Sequence, residues 1–507
     1  MSQKKIGIIL SYLNLIMGLV VNIFLTPFLI RSLGDLDYSL YKVIHSFAGP
    51  LTMFHLGIST IVTRSIVKCQ TLEDYTEKDK RNTIAHALLA SVIMSAVVAV
   101  AGAVMYHLIP GMYGNTYPEE SIEVGQLLFV LYVLATVLHM LTDAFSGCLL
   151  GHERFAVSSG IPLLKSVLKV VLLVTLLSCG FGVIAVVTVD LILAAVTFLF
   201  TAVYALAVLK EMPKFYFLDM AQMREIMAFG ASILLQAVVN QVNNNVDTMI
   251  LGAYVTEKQI ITMYSSALAV YSVYNSLVSA LSGVFVPKAT RLVTQNASGR
   301  ELTDFIVHPG RYQAMIAVAC ICGFALFGRN FITIWIGSQY LDAYWVILML
   351  MIPVTVPLVQ NAAIAILDAA LKRIYRSVIL VVMAVLNVIV SLFLIRSMGF
   401  WGAAIGTVAS LIVGHGFLMN IYYARAFHIE IGRMFWGIFK GILPAGLLAA
   451  TLCVPLAIFL PDTMVMFLIK CVAYIAVYAV FLLWFGMNQS EKSNVLGMFG
   501  RVLRRRK

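Results

Sequence analysis

The chain has 507 residues, of which 61% are hydrophobic and 12% are charged, and its formal net charge is +11. Soluble domains average about 45–50% apolar and 25% charged residues, so this composition excludes a set of soluble domains and indicates an integral membrane protein.

Apolar segments recur along the whole chain, each about long enough to cross roughly 30 Å of hydrocarbon as an α-helix. We therefore predict an all-α integral membrane protein with about fourteen transmembrane helices. The first segment follows Lys4 and Lys5 but is too long for a signal peptide, so we expect it to be retained. In chain order the predicted spans are 6–33, 38–68, 83–109, 122–149, 158–178, 181–209, 226–254, 260–286, 307–328, 338–367, 374–396, 400–425, 435–460 and 463–486.

The distribution of basic residues predicts the orientation of these spans. If the N-terminus is inside, 29 of the 35 Lys and Arg residues lie in the inner loops and at the inner helix ends, and four lie at the outer ends. The positive-inside rule then places both termini in the cytoplasm. This bias accounts for most of the net charge, so we expect no nucleic-acid partner.

The loops are short and carry no recognisable catalytic motif. We find no phosphate loop, paired-His helix or nucleophile elbow, and the seven Cys are scattered, so we expect neither an enzyme nor a metal site or a disulfide framework. The basic tail, 488–507, either lies on the anionic inner leaflet or acts only as a topological signal.

A weak internal repeat indicates two halves. A shift of 221 residues places "NIFLTPFLIRSLG" on "NNNVDTMILGAYV", and the six spans between these copies imply parallel repeats, as in many secondary transporters. The predicted domains are an N-terminal lobe of six helices, a cytoplasmic linker, a C-terminal lobe of six helices, two further helices and the tail: 1–209, 210–225, 226–426, 427–487 and 488–507.

Polar side chains form a stripe along one face of the seventh span. Such a stripe cannot face lipid, because each unsatisfied amide in hydrocarbon costs several kcal/mol. It therefore faces either neighbouring helices, as hydrogen-bonding contacts, or water. Its members follow helical spacing: Gln236, Asn240, Asn243, Asn244 and Asp247.

Three other spans carry weaker polar faces, and together the four faces predict a shared, water-filled cavity. We take their candidate substrate-binding residues to be Asn22 on the first span, Lys42 and His45 on the second, and Tyr264, Tyr271 and Asn275 on the eighth.

The basic groups within the spans suggest the charge of the ligand. Lys42 on the second span, with Lys165 and Lys169 one turn apart on the fifth, lies inside the hydrocarbon, and Asp247 is the main nearby acid. The alternative is that these lysines extend toward the inner surface, most of all Lys165. A positively charged lining would attract anions such as phosphate or diphosphate head groups.

Several segments resemble polysaccharide flippases of the Wzx type, which belong to the multidrug/oligosaccharidyl-lipid/polysaccharide (MOP) exporter superfamily. They include "TPFLIRSLGDLDYSLYK", "GHERF", "VNQVNNNVDTMILGAYV", "FVPKATRLV" and the run from "FITIWIGSQY" to "LKRIYRS". The resemblance covers about residues 5–425 and implies two six-helix lobes in a V around a central cavity. The two extra C-terminal helices match the family only in hydropathy. The resemblance also implies a bacterial cytoplasmic membrane protein that moves undecaprenyl-diphosphate-linked oligosaccharides from the inner to the outer leaflet by alternating access, beside polysaccharide polymerase or assembly proteins.

Related lipid II flippases place basic residues in the cavity, and this implies roles for Arg31, Lys42 and Arg64. The pattern departs at Asp368, where relatives tend to have a basic or amide residue, so we assign Asp368 no role.

The alternative function is a cation-coupled multidrug exporter of the same superfamily, with a membrane glycosyltransferase or polymerase further behind. An exporter of cations needs acids, but the first span has none and Lys42 would repel cationic drugs. No cofactor is expected. A coupling proton or sodium ion could bind Asp247, Asp190 or Asp143 with His139, or these could be packed polar pairs.

Overall fold

The structure, a computed structural model, describes residues 3–54, 57–217, 219–280, 286–370 and 372–493. Within these ranges the chain is almost entirely helical and has no strand, which confirms the all-α class. The side chains of 231–240 and 242–244 lie outside the described residues, although their backbone is helical.

Most helices coincide with predicted spans, except that α1 joins the first span to the start of the second. Within the described ranges, five short segments with 3-10 or π-helical hydrogen bonding interrupt or extend them: Gly49–Phe54, Tyr204–Val208, Ser338–Tyr340, Ile412–Leu418 and Leu482–Gly486. The α-helices are α1 Gln3–Ala48, α2 Ile58–Thr71, α3 Glu77–Tyr113, α4 Glu119–Gly151, α5 Phe155–Ser178, α6 Val183–Val203, α7 Met220–Tyr254, α8 Lys258–Ser279, α9 Val286–Thr294, α10 Gly299–Trp335, α11 Ala343–Val359, α12 Asn361–Ala369, α13 Arg373–Met398, α14 Phe400–Leu411, α15 Met419–Phe427, α16 Ile431–Phe439, α17 Ile442–Phe459 and α18 Met464–Phe481.

Many of these helices are long and apolar enough to cross a membrane. Ten helical segments of the described chain meet this condition, or eleven if the bent pair α11 and α12 forms one span. One of the ten, Ile9–Thr71, has 63 residues and contains two predicted spans. The protein is thus a multi-pass membrane protein, and the number fourteen stays a prediction.

A glycine divides the two spans inside α1. Gly34 has φ 72° and ψ 176°, a backbone conformation that residues with a Cβ rarely adopt. The helix therefore kinks at the end of the first predicted span.

The chain forms two compact units. The first comprises Met1–Ser265 and Ile395–Phe400, and the second comprises Ser266–Leu394 and Trp401–Lys507. The predicted lobe boundaries at 209 and 226 stay predictions.

In the first unit, α1 packs against α5 and α7, while α4 packs against α2, α3 and α6. The contact of α1 with α7 depends on Gly252, because a Cβ there would come within 2.5 Å of Val43 Cγ2. The two helix backbones therefore approach closely.

The connection from α6 to α7 is bonded to the start of α3 along its length. Glu211 Oε1 accepts hydrogen bonds at 2.7 Å from both Lys80 Nζ and His152 Nε2, and Glu211 is buried. Further along, Tyr216 N donates to Asn82 Oδ1, and Asp219 N donates to His86 Nε2. The predicted linker is therefore held against the first unit.

In the second unit, α10 packs against α16, α17 and α18 around a large apolar core. A buried arginine on α10 joins this core to the C-terminal end of the described chain. Arg311 Nε donates to Glu491 Oε1 at 2.7 Å, and its Nη2 donates to Glu491 Oε2 at 3.1 Å and to the carbonyl of Gly486. The carbonyls of Gly437 and Lys440 accept from Nη1, so the last predicted helices are an integral part of this unit.

Candidate functional site

The first unit contains a cluster of basic side chains on helices that the sequence places within the membrane. Lys42 comes from α1, and Lys165 and Lys169 come from α5. They face His139 on α4 and Asp190 on α6. The structure therefore brings together the three lysines that the sequence selected.

Lys169 and Asp190 form an ion pair. Lys169 Nζ lies 2.7 Å from Asp190 Oδ1, and it donates to Oδ2 at 2.9 Å. The side chains are 26% and 20% exposed, so the pair is neither sealed in the protein core nor open to bulk solvent. In this arrangement Asp190 cancels the charge of Lys169.

Lys165 contacts a histidine rather than an acid. Its Nζ lies 3.2 Å from His139 Nε2. An ammonium group has only donors, so the imidazole nitrogen accepts and must be unprotonated. This contact therefore does not neutralise the charge of Lys165.

A cavity of about 320 Å³ lies between α5 and α6 beside the same lysine. Lys165 is its one charged lining residue, and all the others are apolar except Thr197. A cationic group and an apolar cavity therefore adjoin each other in the first unit.

Lys42 lies among aromatic rings. Its Nζ is 5.4 Å from the ring centroids of both Tyr38 and Tyr41, which are cation–π contacts. Tyr41 stacks on Tyr132, and the exposed ring of His45 meets Tyr132 edge-on. No ion pair to Lys42 occurs among the described residues, so its charge is available to a ligand.

The charged groups of the cluster lie close together and at a similar depth. Lys42 and Lys169 are near enough to repel each other, and His45 interacts electrostatically with both and with Asp190. At 1.5 Å per residue, Lys169 is about 13 Å from the end of α5, Asp190 about 10 Å from the start of α6, and Lys42 about 12 Å from Gly34. Three ammonium groups against one carboxylate give a net positive site within the membrane-spanning part of the unit.

Asp247 is paired with a tyrosine. Tyr264 OH donates to Asp247 Oδ2 at 2.9 Å, and both residues are buried in the first unit. The sequence treated Asp247 as the acid closest to the lysines, whereas Asp190 is the acid that binds Lys169. A role for Asp247 and Tyr264 in a wet cavity stays a prediction.

The remaining predicted residues are spread over the chain. Asn275 lies in the second unit, where its amide donates to the carbonyl of Tyr271 within α8. Asn22, Arg31 and Arg64 are exposed in the first unit. The side chains of the rest of the polar stripe lie outside the described residues: Gln236, Asn240, Asn243 and Asn244.

Sequence analysis considered Asp190 and His139 as ion-coupling candidates or as packed polar pairs, and it did not place them beside the lysines. A signal was present, since Asp190 is the one acid within the predicted span 181–209. An isolated acid in an apolar helix normally has a partner. In the described residues, no group of three His, Cys, Asp or Glu side chains could hold a metal ion.

The sequence matches a family model over more than half of its length. The model, described as "Polysaccharide biosynthesis protein", matches residues 4–293. The chain belongs to this family. None of the curated proteins compared with the chain matches it.

Solved structures show the same fold at low sequence identity. The structure is similar to "Lipid II flippase MurJ, inward closed conformation", with a TM-score of 0.71 and 14% identity over 94% of this chain and 97% of that one. It is also similar to an inward-facing multidrug resistance MATE family transporter of the MOP superfamily, with a TM-score of 0.66 and 14% identity over 83% and 98% of the two chains. A third is the Vibrio cholerae MATE transporter VcmN D35N mutant, with a TM-score of 0.51 and 14% identity over 84% and 97%.

The polysaccharide biosynthesis family member thus has the fold of MOP-superfamily transporters, and both assignments confirm what the sequence segments predicted.

Proposed function

We propose that this protein moves an anionic, lipid-linked oligosaccharide from the inner to the outer leaflet by alternating access, for the assembly of a surface polysaccharide. The substrate would be an undecaprenyl-diphosphate-linked repeat unit in a bacterial cytoplasmic membrane. The family and the fold support a transporter of this general kind. The choice of an anionic substrate rests on the basic cluster.

The observation that carries the proposal is the net positive charge of the cluster in the first unit. Lys42 and Lys165 carry charge that no acid among their described contacts cancels. Charged groups at this depth are costly unless they serve a ligand or pair with one another. A diphosphate supplies the missing negative charge and can accept hydrogen bonds from more than one ammonium group.

The surroundings of Lys165 also suit an amphiphilic ligand. Its ammonium group adjoins the apolar cavity between α5 and α6, where a prenyl chain could lie while the phosphates contact the lysines. A free sugar phosphate would leave this apolar surface unused. The arrangement thus favours a lipid-linked anion over a soluble one.

Transport of this substrate requires a polar path because of the cost of dehydration. Moving a sugar diphosphate through hydrocarbon would leave many hydroxyls and two phosphates without partners, at several kcal/mol for each polar group and more for each charge. The basic cluster would replace water around the phosphates, and the amides of α7 would do so around the sugars. No covalent step is needed, so we propose no enzymatic reaction.

Export of cationic drugs is the second candidate, since MATE transporters share the fold. A net positive cluster repels cationic drugs, and the acid within it already binds Lys169. The first unit therefore favours anions. Coupling to a proton or sodium ion, cytoplasmic termini and contact with polysaccharide polymerase or assembly proteins belong to the same proposal.

Depletion of the protein in its host provides the test. We expect the lipid-linked saccharide to accumulate in the membrane while the surface polysaccharide decreases, because synthesis on the inner leaflet continues without transfer. Extraction of the lipids and mass spectrometry of the released saccharide would measure the accumulation. Unchanged lipid-linked saccharide, with normal surface polysaccharide, would contradict the proposal.

A further inference from the structure

In the ion pair between Lys169 and Asp190, a carboxylate of the protein occupies an ammonium group that the proposed anionic ligand would bind. Asp190 uses both carboxylate oxygens, at 2.7 and 2.9 Å from the ammonium nitrogen. With this pair intact, Lys169 can give a diphosphate little net charge. With the pair open, Lys169 would add a third cation.

The groups around the pair make opening possible. Lys42 and His45 face it from α1, and Lys165 adjoins it on α5. His139 on α4 is bonded to Lys165. Most of these neighbours are basic, so an anion that binds among them can compete with Asp190 for the ammonium group.

The exposure of the pair also permits exchange. A quarter of the Lys169 side chain and a fifth of the Asp190 side chain are accessible, whereas the Arg311 and Glu491 side chains are 4% and 1% exposed. The lysine stem is flexible and its ammonium group can turn between partners without a change in the helices.

We propose that Asp190 is a positioning residue that holds Lys169 in the empty protein and competes with the anionic head group for it. This proposal rests on the proposed function and adds a means of release. Lys169 would leave Asp190 when the diphosphate binds, and its return to Asp190 would weaken the hold on the diphosphate. Asp190 thus lowers the affinity for the diphosphate head group and thereby speeds its release.

Diphosphate binding to the purified protein in lipid nanodiscs tests this competition. We expect Asp190→Asn to bind inorganic diphosphate at least about tenfold more tightly than the unmodified protein, because Lys169 no longer has an internal partner. Asp190→Glu should bind nearly as the unmodified protein does, since it keeps a carboxylate. The double variant Lys169→Gln with Asp190→Asn should not show this increase in diphosphate affinity. Isothermal titration calorimetry measures each affinity.

Asp304→Asn is the matched control. Asp304 pairs with Arg433 on the surface of the second unit, so its removal changes the net charge of the protein by the same amount. Its diphosphate affinity should be unchanged. An equal gain in Asp304→Asn, or a gain that persists in the double variant, would overturn the proposal.

A second measurement needs no substitution and is therefore independent of whether Asp190→Asn folds. A carbodiimide joins the Asp190 carboxylate to the Lys169 amine as an amide and leaves as its urea, so the cross-linked α5 and α6 peptide reports the closed pair. Saturating inorganic diphosphate should reduce this product severalfold, while sodium chloride at equal ionic strength should not. Mass spectrometry quantifies the product.

The outcomes separate the two proposals. Suppose that the unmodified protein binds diphosphate, that Asp190→Asn does not raise its affinity, and that diphosphate does not reduce the cross-link. The proposed competition is then wrong, and the proposed substrate class stands. If no form of the protein binds inorganic diphosphate, both proposals fail.

Discussion

Lys42 differs from the other two lysines of the cluster in its partners. Lys169 binds an acid and Lys165 binds an imidazole, whereas Lys42 lies against the rings of Tyr38 and Tyr41. The aromatic faces stabilise the ammonium group without cancelling its charge. Lys42 is therefore the residue whose loss should affect an anionic ligand most directly.

Replacing Lys42 by Gln should reduce export of the lipid-linked saccharide about ten- to hundredfold, since a hydrogen bond to a charged group contributes about 1.5–3 kcal/mol. Lys42→Arg should retain most of the activity because the charge survives. Surface polysaccharide in a depleted host that carries each variant gives the measurement.

Lys78→Gln is the control for this substitution, because Lys78 is an exposed lysine outside the cluster. It should leave export unchanged at equal protein level. Full export activity of Lys42→Gln would show that Lys42 packs in the structure and does not bind the substrate.

At this scale the sequence singled out the three lysines but did not predict their partners. The three lysines stand out because ammonium groups are rare in apolar spans, and they do cluster. Their pairing with Asp190 and His139 depends on how α4, α5 and α6 are rotated against each other. The nearly uniform hydropathy of these spans does not encode that rotation.

Among the helices, α10 and the C-terminal end of the described chain show how one buried arginine can join distant elements. Arg311 is satisfied by Glu491 and by the backbone carbonyls of Gly437 in the last turn of α16 and of Gly486 after α18. Both side chains of the ion pair are almost fully buried. Removal of one partner leaves a buried charge, which is far more costly than the net contribution of the pair.

Glu491→Ala should therefore destabilise the second unit by about 3–5 kcal/mol. Arg433→Ala, which breaks an ion pair with Asp304 that is more than one third exposed on both sides, should cost at most about 1 kcal/mol. Thermal unfolding of the purified proteins in detergent compares the two. Similar midpoints for both variants would show that the Arg311 pair contributes no more than a surface pair.

Some helix starts have a local sequence signal that the predicted spans did not use. The capping boxes of Thr76 with Asp79 and of Ser298 with Glu301 mark the starts of α3 and α10, which the spans placed at 83 and 307. The break of the predicted span 38–68 at Gly49–Phe54 was not predicted, although Pro50 lies there. The π-helical turns leave no comparable sequence signal, because they arise from packing between helices.

For the whole molecule, the positive-inside bias is the basis for orientation. A single Cys at Glu119, in a protein without its native cysteines, should react with an impermeant maleimide added outside intact cells. A single Cys at Lys78 should react only after the membrane is opened. Gel-shift or mass measurement of the labelled protein reports both, and the reverse result would place the termini outside.

The fold class and the family were predictable from composition, spans and segment resemblance, and the family model and the shared fold confirm them. The division into lobes and the number of spans stay predictions, because a weak repeat and hydropathy alone define neither. The polar stripe of α7 also stays a prediction, since most of its side chains lie outside the described residues.

The Arg311 pair has a consequence for the synthesis of the chain. Its two residues are separated by 180 positions, which a ribosome adding about 5–20 residues per second needs roughly 10–40 s to cover. During that interval α10 enters the membrane before its guanidinium group has its acid partner, and the Arg311 pair cannot form until Glu491 has left the ribosome. A nascent chain that stops before Glu491 therefore keeps a cation without its acid partner inside the second unit, and we expect such a chain to be less stable than the full protein.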